Sequence, residues 1–262
     1  SFNMDPADLE RAIAETLAAG KRPRVVMPVD LYGLPADYDA IGRIAAAHGL
    51  EVLADAAQSY GGARAGRRVG ALAPVSATSF YPTKPLGCYG DGGAILASDD
   101  RIAEQVRMIR SHGRTGTGDE AVVLGLTGRL DTLQAAILLA KLDVFEDELA
   151  RRRAIAARYS AQLADVVTVP VVPAGSDSAF ALYTIRVPHR DALRAKLDAA
   201  GIGTGLFYRL ALHQHPAFKD VPARALPVSE QLANETVSLP MHPDLTDEEV
   251  DRVAATVRAA LG

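Results

Sequence analysis

Short apolar runs that alternate with amphipathic segments constrain the fold of this 262-residue chain more than any other feature. Residues 24–29, RVVMPV, form an apolar run that is typical of a buried parallel strand. Residues 37–48 have their apolar side chains at helical spacing, and residues 50–54 form a second apolar run. Because a strand, a helix and a second strand follow one another, the sequence predicts an α/β fold with a mostly parallel sheet and covering helices.

The rest of the first half adds elements of the same kinds. A polar stretch with glycines over residues 63–71 predicts a tight hairpin. We also predict a helix over residues 6–19, a second one that ends near residue 112, and strands over residues 75–80 and 93–97.

The second half begins with a helical pattern over residues 131–163, which predicts either two helices joined by a bend or one long bent helix. It continues with strand candidates at residues 166–169 and 181–187, a helix over residues 190–200, a strand-like run that ends at Tyr208, and a C-terminal helix with a capping box formed by Thr246 and Glu249. We therefore predict one domain over residues 1–130, and interdomain helices with a small α+β C-terminal domain over residues 131–262.

Charge and composition exclude several classes of partner. The net charge is −4 with both signs spread along the chain, so the sequence predicts no basic face for nucleic acid. No apolar run approaches the roughly 20 residues of a membrane span. Cys88 is the single cysteine, which excludes an intrachain disulfide framework and fits a reducing compartment, so we expect a cytoplasmic protein.

Residues 79–94, SFYPTKPLGCYGDGGA, place Lys84 between a predicted strand and a glycine cluster. Asp55 directly follows the apolar run of residues 50–54. Both residues therefore lie beyond the carboxyl ends of predicted strands, where α/β sheets bind their ligands. Prolines on both sides of the lysine restrict the backbone, and neighbouring hydroxyl groups suit a phosphate.

A lysine and an aspartate in this arrangement are what a pyridoxal 5′-phosphate (PLP) enzyme requires. The lysine forms a Schiff base with the cofactor, and the carboxylate keeps the pyridine nitrogen protonated. Each residue also has a plainer interpretation, since a loop lysine is commonly solvated and an aspartate after a strand commonly caps a helix. The residues alone leave both interpretations open.

Other reactive residues support weaker hypotheses. His213 and His215 could form a metal pair, but the sequence offers no third ligand at a recognisable spacing, so we predict no metal. Cys88 has no partner histidine that spacing identifies, and we interpret it as structural. Residues 90–93, GDGG, do not match a phosphate-binding loop and favour a tight turn.

Several segments together resemble one known family. They are FNMDPADLE, VDLYGLPADYDAI, LADAAQSYG, SFYPTKPLGCYGDGGAI, RLDTLQAAIL, GIGTGLFY, ALHQHPAF and SLPMHPDLTDEEV. In this order, and almost end to end, they are similar to the DegT/StrS group of nucleotide-sugar aminotransferases, which are fold-type-I PLP enzymes. The resemblance implies that residues 1–130 are the remainder of a large PLP-binding domain.

The resemblance also implies roles by position. Lys84 matches the lysine that bonds to PLP and later shuttles the proton. Asp55 matches the aspartate that pairs with the pyridine nitrogen. Gln58 matches a contact to the ring hydroxyl group, and Ser79 matches a phosphate-binding serine.

The implied reaction transfers an amino group from an amino acid, L-glutamate, to the keto group of a nucleotide-linked sugar or a related cyclic ketone, as in deoxyaminosugar biosynthesis. Lys84 stands where a branch of the family that catalyses dehydration has histidine, so the resemblance favours amino transfer as the reaction. The resemblance further implies a homodimer with the site at the subunit interface. Tyr208 and His213 are the predicted substrate contacts.

The sequence also departs from the family pattern. About the leading third of a family member, which normally supplies phosphate and stacking contacts, has no counterpart. Thr127 stands near an asparagine that reaches the phosphate of the neighbouring subunit, and Pro85 and Ala181 replace a usual asparagine and histidine. A second hypothesis follows, in which the chain is a catalytically incompetent fragment or partner subunit that needs the missing N-terminal segment.

Overall fold

The computed structural model describes residues 1–116 and 118–262. The chain divides into two compact units, of which the first consists of Ser1–Leu149 and Val172–Ala181 and the second of Ala150–Val171 and Leu182–Gly262. The division falls within a helix that begins in the first unit and ends in the second. The two domains expected over residues 1–130 and 131–262 remain a prediction.

The first unit is organised around a mixed sheet. Its strands are β1 (Val25–Val26), β2 (Glu51–Asp55), β3 (Ala63–Arg64), β4 (Arg67–Arg68), β5 (Val75–Ser79), β6 (Gly93–Ala97) and β7 (Ser176–Asp177). The main sheet has the order β1-β2-β5-β6, in which β1, β2 and β5 are parallel and β6 is antiparallel to β5. The predicted α/β fold with a mostly parallel sheet is confirmed.

Helices pack on this sheet. They are α1 (Pro6–Ala18), α2 (Tyr38–Ala47), α3 (Asp100–Ile109), α4 (Thr132–Leu142) and the start of α5 (Phe145–Leu163). Ile41 of α2 is fully buried and belongs to one apolar cluster with Val52 of β2. The side chains of Asp5, Asp37 and Asp99 accept hydrogen bonds from N–H groups in the first turns of α1, α2 and α3, which stabilises the starts of these helices.

Some elements of the first unit differ in detail from the prediction. The first strand is shorter than residues 24–29 because Pro28 has no N–H group for the ladder, and an isolated bridge from Val29 to Asp55 continues the pairing. The hairpin predicted over residues 63–71 forms as β3 and β4, and it also pairs with β7, which the sequence does not predict. The long helical pattern that follows forms α4 and α5, so two helices joined by a bend is the correct alternative.

The second unit is a small α+β structure. Its elements are the rest of α5, β8 (Tyr183–Arg186), α6 (Arg190–Ala199), α7 (Pro227–Glu235), β9 (Thr236–Leu239) and α8 (Asp247–Leu261), with β8 antiparallel to β9. Thr246 and Glu249 form the predicted capping box at the start of α8. Arg158 of α5 donates two hydrogen bonds of 2.6 Å to the carboxylate of Asp251 in α8, which links these two helices.

Two strand predictions for this unit are wrong. Residues 166–169 contribute only an isolated bridge from Thr168 to Arg186, and the run that ends at Tyr208 contributes only a bridge from Gly205 to Ser238. Repeated glycines weaken the strand propensity of the second run. The helix α7 and the strand β9 are further elements that the sequence pattern does not predict. Within the described part of the chain, every helix is too short or too polar to span a bilayer.

Gly33 is a point where two segments of the first unit that are distant in sequence approach closely. Its φ is +104°, and an added Cβ atom would lie 2.8 Å from the backbone nitrogens of Phe180 and Ala181. Its carbonyl oxygen accepts a 2.9 Å hydrogen bond from the N–H group of Ala179. A side chain at this position would therefore push the backbone at Gly33 away from the backbone at Phe180 and Ala181.

We expect Gly33→Ala to lower the free energy of unfolding by about 2 kcal/mol or more, because backbone strain and a backbone clash add up. Gly66→Ala is the matched control, since Gly66 also has a positive φ, +74°, but has open space around its Cβ position. The control should lose only about 1 kcal/mol. Urea unfolding curves measure both losses, and equal losses would contradict the close approach at Gly33.

Candidate active site

Asp55 ends β2 at the carboxyl edge of the sheet. Its backbone is fixed from the β1 side, because its N–H group donates to the carbonyl of Pro28 (2.9 Å) and its carbonyl accepts from the N–H group of Asp30 (3.0 Å). One carboxylate oxygen, Oδ1, accepts a 3.1 Å hydrogen bond from the N–H group of Ala57. The side chain is half-buried, so a held carboxylate still faces accessible space.

Gln58 follows in the turn after β2. Its side chain is buried, and Oε1 accepts a 2.6 Å hydrogen bond from the backbone N–H group of Tyr32. Because the carbonyl end of the amide is bound in this way, the NH2 end is the donor that Gln58 could offer to an oxygen atom of a bound molecule.

Lys84 lies in a compact loop after β5. The N–H group of Cys88 donates to the carbonyl of Phe80 (2.8 Å) and closes the loop, and the N–H group of Lys84 donates to the carbonyl of Tyr81 (2.9 Å) within it. Gly87 permits this closure, because a Cβ atom there would lie 2.7 Å from the carbonyl oxygen of Pro82. The lysine therefore stands on a fixed backbone and not on an open loop.

The surroundings of Lys84 shift its pKa downward. Burial lowers the pKa of the ammonium group below its usual range, and the negative charge of Asp55 opposes this shift in part. The two side chains are thus close enough to interact. A neutral amine is the form that attacks a carbonyl group, so this environment suits a Schiff-base lysine.

Ser79 is the last residue of β5, and the pairing register relates it to Asp55. Asp55 lies opposite Ala77, so Ser79 is two positions further toward the same edge of the sheet. Its hydroxyl oxygen accepts a 3.2 Å hydrogen bond from the N–H group of Tyr81, at the start of the lysine loop. The structure thus brings Asp55, Ser79 and Lys84 to one edge, with Gln58 in the adjoining turn; their individual roles remain predictions.

Tyr208 and His213 belong to the second unit. Nε2 of His213 lies 3.0 Å from a carboxylate oxygen of Glu230, and Tyr208 is exposed. Their participation in a site with Lys84 stays a prediction. The described residues contain no group of three or more His, Cys, Asp and Glu side chains that could hold a metal ion.

Asp30 is a buried acidic residue whose contacts the sequence pattern does not predict. It is only 1% exposed, and its carboxylate accepts hydrogen bonds from the N–H group of Ala36 (2.8 Å) and from the hydroxyl groups of Tyr38 (2.8 Å) and Ser59 (2.6 Å). Burial raises the pKa of the Asp30 carboxyl, although these three hydrogen bonds oppose the shift. The bond to Ser59 ties the turn after β2 to the segment that follows β1. The sequence offers one indication of Asp30, because it directly follows the apolar run of residues 24–29 as Asp55 follows that of residues 50–54.

Cys88 lies behind the lysine loop. It is completely buried in an apolar cluster with Phe80, Leu86 and Leu138, and its sulfur lies 3.0 Å from the carbonyl oxygen of Phe80. This placement agrees with the structural interpretation of the cysteine.

The chain is similar in structure to solved aminotransferases. A DegT DnrJ EryC1 StrS aminotransferase from Brucella abortus superposes with a TM-score of 0.96 at 46% sequence identity, over 99% of this chain and 70% of that one. NtdA from Bacillus subtilis, solved with bound cofactor PMP, superposes with a TM-score of 0.86 at 26% identity, over 99% of this chain and 60% of that one. The α/β fold is therefore that of the fold-type-I aminotransferases.

The chain belongs to the DegT/DnrJ/EryC1/StrS aminotransferase family, whose sequence profile matches residues 1–258. It is 43% identical over 258 residues to the UDP-2-acetamido-2-deoxy-3-oxo-D-glucuronate aminotransferase of Pseudomonas aeruginosa, covering 98% of this chain and 70% of that protein. It is 40% identical over 259 residues to the dTDP-3-amino-3,4,6-trideoxy-alpha-D-glucose transaminase of Streptomyces venezuelae, covering 97% of this chain and 66% of that protein. The family is PLP-dependent.

The chemistry of the donor set fits PLP. Lys84 offers an amine whose pKa burial lowers, which suits the cofactor's aldehyde. Asp55 offers a half-buried carboxylate for a protonated pyridine nitrogen, and Gln58 offers an amide donor for a ring oxygen.

We expect Lys84 in the cofactor-free protein to lose its proton below the ordinary lysine pKa of about 10.4. Asp55→Asn should move the midpoint further down, because it removes the negative charge that raises this pKa. Competitive acetylation across a pH series, read by peptide mass spectrometry, measures the midpoint. Asp39→Asn is the control, since Asp39 pairs with Arg67 on the surface and should leave the midpoint unchanged. An upward shift in Asp55→Asn would contradict the coupling.

Proposed function

We propose that this chain is a PLP-dependent aminotransferase that moves an amino group from L-glutamate to the keto group of a nucleotide-linked sugar or a related cyclic ketone. The observation that carries the proposal is the placement of Asp55 and the loop of Lys84 at the same edge of the sheet, where the carboxylate of Asp55 raises the pKa of the lysine against the effect of burial. The names of the relatives in Pseudomonas aeruginosa and Streptomyces venezuelae, both sugar-nucleotide transaminases, support the acceptor class.

Four side chains would hold the cofactor. Lys84 would bond to it, Asp55 would pair with the pyridine nitrogen, Gln58 would donate to the ring oxygen, and Ser79 would contact the phosphate. When bound, PLP supplies an electron sink for the electron pair left behind when a Cα proton is removed. Asp55 supports that sink because a carboxylate beside the pyridine nitrogen keeps it protonated.

The proton transfers are assigned to Lys84. In the first half-reaction its Nζ atom removes the proton from Cα of the amino acid, and in the second it delivers a proton to the carbon that carried the keto oxygen. A lysine whose pKa is lowered by burial suits the first step, and its fixed loop backbone limits the positions that Nζ reaches. Because the donor leaves as a keto acid before the acceptor binds, the kinetics should be ping-pong.

Acceptor recognition is assigned to the second unit. With Nε2 of His213 donating to the carboxylate of Glu230, Nδ1 of the neutral ring is an acceptor for a hydroxyl group of the sugar. Tyr208 offers an exposed phenol group. Hydrogen-bonding groups of this kind discriminate between polar substrates far better than apolar contacts do.

A homodimer is part of the proposal. Exposed apolar side chains are concentrated along residues 122–139, where Leu124 is 97% exposed and Leu133 is 78% exposed. Exposed apolar side chains in such a cluster are typical of a surface that a partner covers.

The second hypothesis, a partner subunit without activity of its own, remains the alternative for this chain.

We predict that PLP and borohydride will leave a stable adduct on Lys84. Lys84→Ala should abolish both the adduct and amino transfer. Asp55→Asn should keep the adduct and slow 2-oxoglutarate release from L-glutamate by about 10²-fold, because the electron sink weakens. Lys196→Ala, in the second unit, is the control. Peptide mass spectrometry locates the adduct; its absence under saturating PLP would favour the inactive-subunit hypothesis, and retained turnover in Lys84→Ala would refute the assigned role.

We predict that Leu124→Asp combined with Leu133→Asp will convert the dimer to a monomer, because two charges would be buried in an apolar interface. Val228→Asp, at another exposed apolar side chain, should leave the dimer intact. Sedimentation velocity measures the mass in each case. A monomeric wild-type protein, or a dimer that survives both charges, would contradict the assigned surface.

A further inference from the structure

The far end of the lysine loop is fastened by two side chains of α4. Nζ of Lys141 donates a 2.7 Å hydrogen bond to the carbonyl oxygen of Gly87 and lies 5.2 Å from the centre of the Tyr89 ring. Oε1 of Gln134 accepts a 2.8 Å hydrogen bond from the backbone N–H group of Tyr89. We call these two side chains the α4 clamp.

The clamp acts where the loop closes on itself. Gly87 is the residue that approaches the backbone of Pro82, and the loop between them contains Lys84. The hydrogen bond from Lys141 to the carbonyl of Gly87 therefore restrains the part of the backbone that closes the loop around Lys84. Hydrogen bonds to a charged donor are stronger than neutral ones, and an ammonium group over an aromatic face adds a further attraction.

The direction of the Lys141 side chain is informative. Lys141 lies in the last turn of α4, where a lysine commonly interacts with the free carbonyl groups of its own helix. Its ammonium group instead binds the carbonyl of a residue 54 positions earlier in the chain. The apolar packing of Leu86 and Cys88 against Leu138 already holds the loop to α4. Because apolar packing does not fix orientation, the hydrogen bonds of the clamp are what set the orientation of the loop on α4.

We propose that Lys141, together with Gln134, is a positioning residue for Lys84. The inference rests on the proposed function, since it assigns the clamp to the placement of the Schiff-base amine. Without the clamp the loop would stay folded against the core, but the backbone of Lys84 would sample more positions. Misplacement of a reacting group by about 1 Å is enough to cost one to two orders of magnitude in rate.

Hydrogen exchange of the cofactor-free protein tests the clamp without any chemistry. In Lys141→Met, which keeps the apolar stem of the side chain, the amides of Cys88 and Tyr89 should exchange about tenfold faster than in the wild type. Lys141→Arg should restore most of the protection. Lys196→Met is the matched control, because Lys196 donates a comparable 2.6 Å bond to the carbonyl of Ala260 in the second unit; it should leave residues 80–90 unchanged.

The rate at which PLP forms a bond with Lys84, measured by trapping that bond with borohydride, then tests whether the clamp positions Lys84. Lys141→Met should form it about tenfold more slowly at saturating PLP, and should lower kcat while leaving KM for the amino donor unchanged. If Lys141→Met does not fold, Gln134→Leu should show the same changes. Wild-type rates in Lys141→Met, with or without faster exchange, would overturn this inference alone. A wild-type protein that forms no adduct on Lys84 would overturn the proposed function as well.

Discussion

The rest of the candidate site depends on the interaction between Lys84 and Asp55 at one edge of the sheet. Two opposing effects set the pKa of the lysine there. Burial disfavours the ammonium form of Lys84, and the carboxylate of Asp55 favours it. Both effects depend on strand register, because Asp55 lies opposite Ala77 and the lysine loop begins just beyond the end of β5. Since successive residues of a strand face opposite sides, a slip of one residue in β2 would turn Asp55 to the other face of the sheet and separate the pair.

The elements that could be predicted are those whose local signals agree with each other. The helix α2 combines helical apolar spacing with an aspartate cap, and α8 has a complete capping box at Thr246 and Glu249. Elements that depend on distant partners could not be predicted. The strand β7 pairs with the hairpin more than a hundred residues earlier, and the run near Gly205 meets β9 at only one bridge.

The candidate site shows the same division. Asp55 and Lys84 follow apolar strands directly, so the strand pattern places both at the sheet edge. Gln58 is identified only through the family resemblance, because its defining contact is to the backbone of Tyr32. The α4 clamp is invisible in any local pattern, since the fold brings Lys141 to Gly87 from 54 positions away. Residue type and spacing thus predict the reacting groups, whereas tertiary contacts determine how they are held.

A crystal structure of the protein with PLP would show directly whether Lys84 and Asp55 act together on the cofactor. We expect a covalent bond from the cofactor to Nζ of Lys84 and a hydrogen bond from the pyridine nitrogen to the carboxylate of Asp55. Attachment to another lysine, or a pyridine nitrogen that faces a group other than Asp55, would contradict this expectation.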